Sequence, residues 1–89
     1  MEMETVYEPS TGWSLLYNTK DSLYHGMYMV FNEDNNLIIL ANYEDGKKHG
    51  MEHTWYANGV LMSLIKYEHG EPVQKLRFGP NGQPIIKNV

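Results

Sequence analysis

The stretch YEDGKKHGMEHTWYANGVLMSLIKYEHG, residues 43 to 70, begins and ends on nearly the same phrase, because Tyr43-Glu44-Asp45-Gly46 returns as Tyr67-Glu68-His69-Gly70. Residues 23–46 can be laid over residues 47–70 without a gap, which gives a period of 24. Self-similarity at a fixed period is the signature of a repeat array. The further matched positions are His25-Gly26-Met27 with His49-Gly50-Met51, Phe31 with Trp55, and Leu37 with Leu61.

The repeat divides the 89 residues, which form a single domain, into four units. Residues 23–46 and 47–70 are the two clear copies. Residues 1–22 are predicted to be a degenerate N-terminal unit. Residues 71–89 are predicted to be a shortened C-terminal cap, since LRFGPNG at 76–82 tracks HTWYANG at 53–59. Terminal units of repeat arrays are usually atypical in this way.

Each unit is predicted to be a β-hairpin. Segments such as MYMVF and LMSLIKY are rich in aromatic and branched residues and have the length of a strand. The dipeptides Asn58-Gly59 and Asn81-Gly82 are strong hairpin signals, because both residue types tolerate positive φ. Longer links over 45–50 and 69–72 join one hairpin to the next. The predicted fold is all-β: a single antiparallel meander of hairpin repeats in a twisted or curled sheet.

Alternation along the strands assigns side chains to two faces. A thin sheet cannot cover both faces, so we expect one to be covered by curling, by a terminal segment or by another chain. One face gathers Met27, Met29, Phe31, Met51, His53, Trp55, Leu76 and Phe78. The other, which is more polar, gathers Tyr28, Val30, Glu52, Thr54, Tyr56, Lys75 and Arg77.

The charge is unevenly distributed along an acidic chain of net charge -4: residues 1–45 carry one Lys against eight carboxylates, and residues 46–89 carry six Lys or Arg against three. An acidic domain without clustered basic residues is a poor ligand for phosphate backbones, so a nucleic-acid partner is not expected. The acidic start of the chain does not resemble a signal peptide, no apolar run is long enough to span a membrane, and cysteine is absent. We therefore expect a cytoplasmic protein.

The hairpin phrase Gly50-x4-Trp55-Tyr56-x-Asn58-Gly59-x-Leu61-x5-Tyr67-x2-Gly70 resembles the MORN repeat, and is closest to the bacterial variant described in antitoxin components. The resemblance covers residues 23–83 well and 7–22 poorly. It implies successive hairpins in an elongated sheet whose aromatics and glycines are scaffold. It also implies a protein-binding or dimerisation role without enzymatic activity, by analogy that of an inhibitor, an immunity protein or a phage counter-defence factor.

No constellation in the sequence predicts catalysis, a cofactor or a metal site. No nucleophile elbow surrounds a serine, and no phosphate-binding glycine motif is present. His25 and His49 occupy equivalent positions beside a glycine, and we interpret both as turn caps. His49 and His53 would lie about 13 Å apart along a strand, too far to share a metal ion.

Exposed aromatic residues are the remaining functional candidates, because Trp and Tyr are enriched at the centres of protein interfaces. The predicted anchors are Trp13, Tyr24, Tyr28 and Tyr56. The leading hypothesis is a module that binds an intracellular protein and inhibits or neutralises it, with a homodimer as a plausible functional form. The alternative is a binder of a nucleotide or lipid headgroup at a homo-oligomer interface, with charge from Lys47, Lys48 or Arg77.

Overall fold

The computed structural model describes residues 2–85, with side chains from residue 3 onward. Within that range there is no helix, and one antiparallel sheet contains every strand. The strand order follows the chain, with β5 and β6 both pairing with β4, so the predicted all-β meander is confirmed. The strands are β1 (Glu2–Glu8), β2 (Trp13–Lys20), β3 (Leu23–Phe31), β4 (Leu37–Glu44), β5 (Lys47–Lys48), β6 (Gly50–Trp55), β7 (Leu61–Glu68) and β8 (Glu71–Arg77).

Tight two-residue turns join one hairpin to the next. Asp45 and Gly46 both have positive φ, 50° and 84°, and Glu44 pairs with Lys47 on either side of them. This combination defines a type I′ turn, whose twist matches that of the flanking strands. The same turn occurs at 21–22 and at 69–70, which spaces the three turns by the sequence period of 24. The prediction of longer links over 45–50 and 69–72 was wrong, because the polar residues after each turn belong to strands.

The opposite ends of the strands carry longer loops. The amide of Tyr56 donates to the Val60 carbonyl, and the amide of Gly59 donates back to the Tyr56 carbonyl, both at 2.9 Å. Gly59 has a φ of 87°, whereas Asn58 is not in the positive-φ region and accepts from the Val60 amide through its side chain. The Asn-Gly dipeptide therefore closes a hairpin as predicted, but within a three-residue loop with a bulge, not a two-residue turn.

The sheet is a single layer. The molecule measures 43 × 31 × 16 Å, and extensive contacts link only strands that are neighbours in the sheet. Consequently the core is thin, and among the described residues no large side chain is fully buried. The buried strand residues are Val30, Ala41, Glu52, Ser63 and Ile65.

All five buried strand residues lie on the face that the sequence marks as more polar. The register shows this, since Tyr28 pairs with Ala41, Thr54 with Ser63, and Glu52 with Ile65. Polarity therefore predicts the burial of the two faces poorly, since the polar residues Glu52 and Ser63 are among the buried ones. We call this side the tyrosine face and the opposite side the methionine face.

Candidate functional site

Four tyrosines form a continuous aromatic cluster on the tyrosine face. Tyr24 lies at its centre, 5.1 Å from the rings of both Tyr17 and Tyr43 and 5.4 Å from that of Tyr28. Strand β2 contributes Tyr17, β3 contributes Tyr24 and Tyr28, and β4 contributes Tyr43. The register brings these strands side by side, since Tyr17 is opposite Tyr28 and Tyr28 is opposite Ala41 of β4. Edge-to-face and tilted ring pairs of this kind stabilise a sheet beyond the area they bury.

A charged pair follows the aromatic cluster on the same face. Nζ of Lys48 donates to Oε2 of the buried Glu52 at 2.6 Å, and the Lys48 ammonium lies 5.1 Å from the centre of the Tyr67 ring. The Tyr67 hydroxyl donates to the other carboxylate oxygen of Glu52 at 3.5 Å. Burial is the largest single effect and lowers the pKa of Lys48, but the hydrogen bond to Glu52, the charge of Glu52 and the nearby Tyr67 and Tyr43 together outweigh it, so that the pKa is raised.

The pKa values of Tyr28 and Tyr43 are also raised. The first cause is burial, which disfavours the phenolate form in both residues, and the tyrosines nearby add to it. These hydroxyls are therefore neutral at physiological pH. The tyrosine face combines rings, neutral hydroxyls and one internally satisfied ion pair, which is the chemistry of a scaffold.

The methionine face carries an apolar row that crosses six strands. Each residue in the row is directly opposite the next, from Leu16 through Met29, Leu40, His53 and Leu64 to Leu76. Beside the row, Met27 and Met51 are 47% and 40% exposed, and Leu76 at its end is 57% exposed. Five strand spacings separate the ends of the row, a span of about 24 Å.

Exposure divides the predicted aromatic anchors into two pairs. Trp13 and Tyr24 are exposed, as expected. Tyr28 and Tyr56 are half-buried, so the expectation of exposure was wrong for these two. Tyr28 is held in the tyrosine cluster, and the Tyr56 hydroxyl donates to the Phe78 carbonyl at 2.8 Å, which ties its loop to the end of β8.

The three predicted cationic contacts do not meet at one place. Lys47 follows the Asp45-Gly46 turn and is exposed, and Lys48 is bound to Glu52. Arg77 pairs with Ser63 near the end of the sheet that carries the longer loops. A nucleotide or lipid phosphate would therefore meet these cations one at a time.

The structure confirms that His25 and His49 cap turns. Nδ1 of His25 accepts a hydrogen bond from the Asp45 amide at 3.3 Å, and Nδ1 of His49 accepts one from the His69 amide at 3.4 Å. Asp45 and His69 are the first residues of two type I′ turns, so the repeat preserves both the cap and its target. The rings of His49 and His69 are also close, with centroids 5.3 Å apart.

Two features of the faces escaped the sequence analysis. The Lys48–Glu52 pair was missed, because four residues along a regular strand span about 13 Å, whereas here the strand is interrupted at His49 between the two residues. The continuity of the methionine face depends on registers between strands, which no single segment encodes. In the described part of the chain, no set of three His, Asp or Glu side chains is placed to hold a metal ion.

Residues 2–85 also contain no helix long and apolar enough to cross a membrane. No protein-family model, curated protein or solved structure matches this chain significantly.

Proposed function

We propose that this chain is a non-enzymatic module that binds another protein through its methionine face and thereby inhibits or neutralises that partner. The observation that carries the proposal is the apolar row from Leu16 to Leu76, which no other described element covers. Exposed apolar patches of this extent mark interaction sites, and methionine side chains adapt to the shape of a partner.

The size of the face agrees with a protein as the occupant. A typical stable interface buries about 800 Å² on each partner. The two longer dimensions of the molecule, 43 and 31 Å, bound a face larger than that. A partner covered over such an area would have a substantial part of its own surface blocked, which is a direct physical route to inhibition.

The charge distribution of the face points the same way. Lys66, opposite Met51, is a charged residue next to the apolar row, and the row itself contains no Asp, Glu, Lys or Arg. Interface centres are depleted in charge and enriched in methionine. The resemblance to MORN repeats, which act as protein-binding scaffolds, supports the same assignment.

The test is affinity capture from the native cell extract with matched variants of the tagged protein. Met27→Glu and Met51→Glu place a carboxylate on the methionine face at exposed positions, where folding tolerates it. Val6→Glu is the control, because Val6 is equally exposed, at 44%, and pairs with Leu15 on the tyrosine face. We expect a stoichiometric partner with the wild type and the control, and its loss with both methionine variants.

Light scattering on each purified variant measures its oligomeric state. Equal capture by all variants would show that the methionine face does not bind the partner. A dimer of the wild type that dissociates only in the methionine variants would show that the face serves self-association, which would replace the proposal. Addition of the pure protein to the captured partner should lower that partner's activity.

A further inference from the structure

An open groove lies on the tyrosine face at the corner formed by β1, the β2–β3 turn and the Asp45-Gly46 turn. Its volume is about 890 Å³, and its lining includes Glu4, Tyr17, Lys20, Asp21 and Tyr24. That volume falls in the range of ligand sites, roughly 300–1,000 Å³. The groove is separate from the methionine face. Glu4 pairs with Tyr17, and both side chains are on the tyrosine face, the side of the sheet opposite the methionine face.

Two tyrosine rings form adjoining walls of this groove. The rings of Tyr17 and Tyr24 lie 5.1 Å apart at an interplanar angle of 69°. Tyr24 is 37% exposed, so part of its ring is open to a ligand. Aromatic faces attract organic cations through the ring quadrupole.

A carboxylate completes the arrangement. The exposed Glu4 lies directly opposite Tyr17 in the register of β1 and β2, and the carboxylate of Glu4 raises the pKa of the Tyr17 hydroxyl. The other charged side chains of the lining, Lys20 and Asp21, carry opposite charges. The charges of Lys20 and Asp21 cancel, so the carboxylate of Glu4 gives the lining a net negative charge next to the aromatic walls.

We propose that this groove binds an arginine side chain of the protein partner. The guanidinium group stacks on the Tyr24 ring and donates hydrogen bonds to the Glu4 carboxylate. Arginine suits the site because its planar, permanently charged fork both stacks on aromatic faces and pairs with carboxylates. The proposal rests on the proposed function in that the arginine belongs to the bound protein, and it adds a second contact on the face opposite the apolar row.

The experiment titrates the full-length protein, carrying isotope-labelled tyrosine rings, with the peptide acetyl-Gly-Arg-Gly-amide and follows the shifts by NMR. The matched ligand contains citrulline, which has nearly the shape of arginine without its charge. We expect saturable shifts at Tyr17 and Tyr24 with the arginine peptide, and affinity at least about tenfold weaker for the citrulline peptide, as expected for loss of a cation–π contact and a charged hydrogen bond. Equal shifts with the two peptides, or none with arginine, would overturn the proposal.

Variants locate the site. Glu4→Gln and Tyr24→Leu should each weaken arginine binding by about tenfold, since each removes one of the two contacts. Glu71→Gln and Tyr7→Leu change the same residue types at exposed positions outside the groove and should bind as the wild type does. Binding that survives in both groove variants contradicts the assignment.

The titration and the capture experiment test the two proposals separately, so that one proposal can fail while the other stands. Loss of the partner in the Met27→Glu variant, with no arginine binding in the wild type, would sustain the proposed function and overturn the groove. Arginine binding that follows Glu4 and Tyr24, with capture unaffected by the methionine variants, would sustain the groove and overturn the methionine face as the docking surface.

Discussion

The ammonium group of Lys48 lies 2.6 Å from Oε2 of Glu52, a residue that is only 7% exposed. The pair joins β5 to β6 across the interruption at His49. In the described part of the chain, this is the one ion pair between an ammonium and a carboxylate. It lies on the tyrosine face, next to the aromatic cluster. A charged carboxylate buried in mid-sheet depends on this partner and on the more distant Tyr67 hydroxyl.

Replacement of Lys48 by methionine should destabilise the fold. The change keeps most of the apolar stem but leaves the Glu52 carboxylate buried beside Tyr67 alone. We expect a loss of about 2–3 kcal/mol in the free energy of unfolding, at the lower end of the range for a broken buried pair because Lys48 is one-third exposed. Urea denaturation followed by circular dichroism measures it.

The double variant Lys48→Met with Glu52→Leu is the control for that prediction. It removes both charges, so most of the lost stability should return, since an apolar pair can replace a buried ion pair at little cost. If the double variant is as unstable as the single one, the cost comes from lost packing and not from an unpaired carboxylate.

Stability should fall at alkaline pH. Burial lowers the pKa of Lys48, but the hydrogen bond and charge of Glu52 with the nearby Tyr67 and Tyr43 raise it above its ordinary value of 10.5. Burial raises the pKa values of Tyr28 and Tyr43 above 10.0. A folded-state pKa above the unfolded value stabilises the fold fully below the unfolded pKa, and that stability is lost as the pH rises through the folded pKa. The free energy of unfolding should thus be flat from about pH 8 to 9.5 and decline beyond about pH 10.

The double variant Tyr28→Phe with Tyr43→Phe tests the source of this decline in stability. It has no phenol to ionise at those positions, so its stability should fall less steeply above about pH 10 than that of the wild type. Identical slopes for the two proteins, measured by urea denaturation at a series of pH values, would assign the decline to other groups.

The histidine caps should contribute equally in the two repeats. His25→Ala and His49→Ala each remove the acceptor for an amide at the start of a type I′ turn, and we expect each to cost about 1 kcal/mol. Asparagine offers Oδ1 where histidine offers Nδ1, so His25→Asn should keep most of the stability. Thermal unfolding of the three variants checks the prediction, and a His25→Asn variant as unstable as His25→Ala would refute the cap as the reason.

Trp13 should prove to be a structural tether as well as an exposed ring. Its Nε1 donates to Oε2 of Glu33 at 2.8 Å, which links the start of β2 to the loop after β3. Trp13→Phe and Glu33→Ala should each cost about 0.5–1 kcal/mol, and the double variant should cost no more than the larger single effect, because one exposed hydrogen bond is lost in all three. Additive costs in urea denaturation would show that the tether contributes nothing.

Much of the fold follows from short-range patterns in the chain. The period of 24, the strand composition and the glycines predict hairpins in a meander, and the structure has them. Residue polarity misrepresents local structure after the Asp45-Gly46 turn. Lys47 and Lys48 resemble a loop in composition, yet they form a short strand beside β4, because the I′ turn at Asp45-Gly46 needs only two residues.

The candidate site was predicted less well than the fold. Tyr28 and Tyr56 were expected to be exposed because alternation places them on the more polar side of their strands. In the structure that side is the more buried one, since Tyr28 packs against Tyr24 and Tyr43 from its own and the next strand. Burial in a one-layer sheet depends on the sizes of side chains on the neighbouring strands, and a single strand carries no record of them.

The sequence by itself determined the repeat, the hairpins and the capping of turns by His25 and His49, because each depends on residues within one period or at equivalent places in two. Only the tertiary structure decided which face is covered, how Lys48 satisfies Glu52 and that one apolar row continues from Leu16 to Leu76. These features depend on the register between strands, and register is set by the assembled sheet, in which every strand must satisfy two neighbours at once.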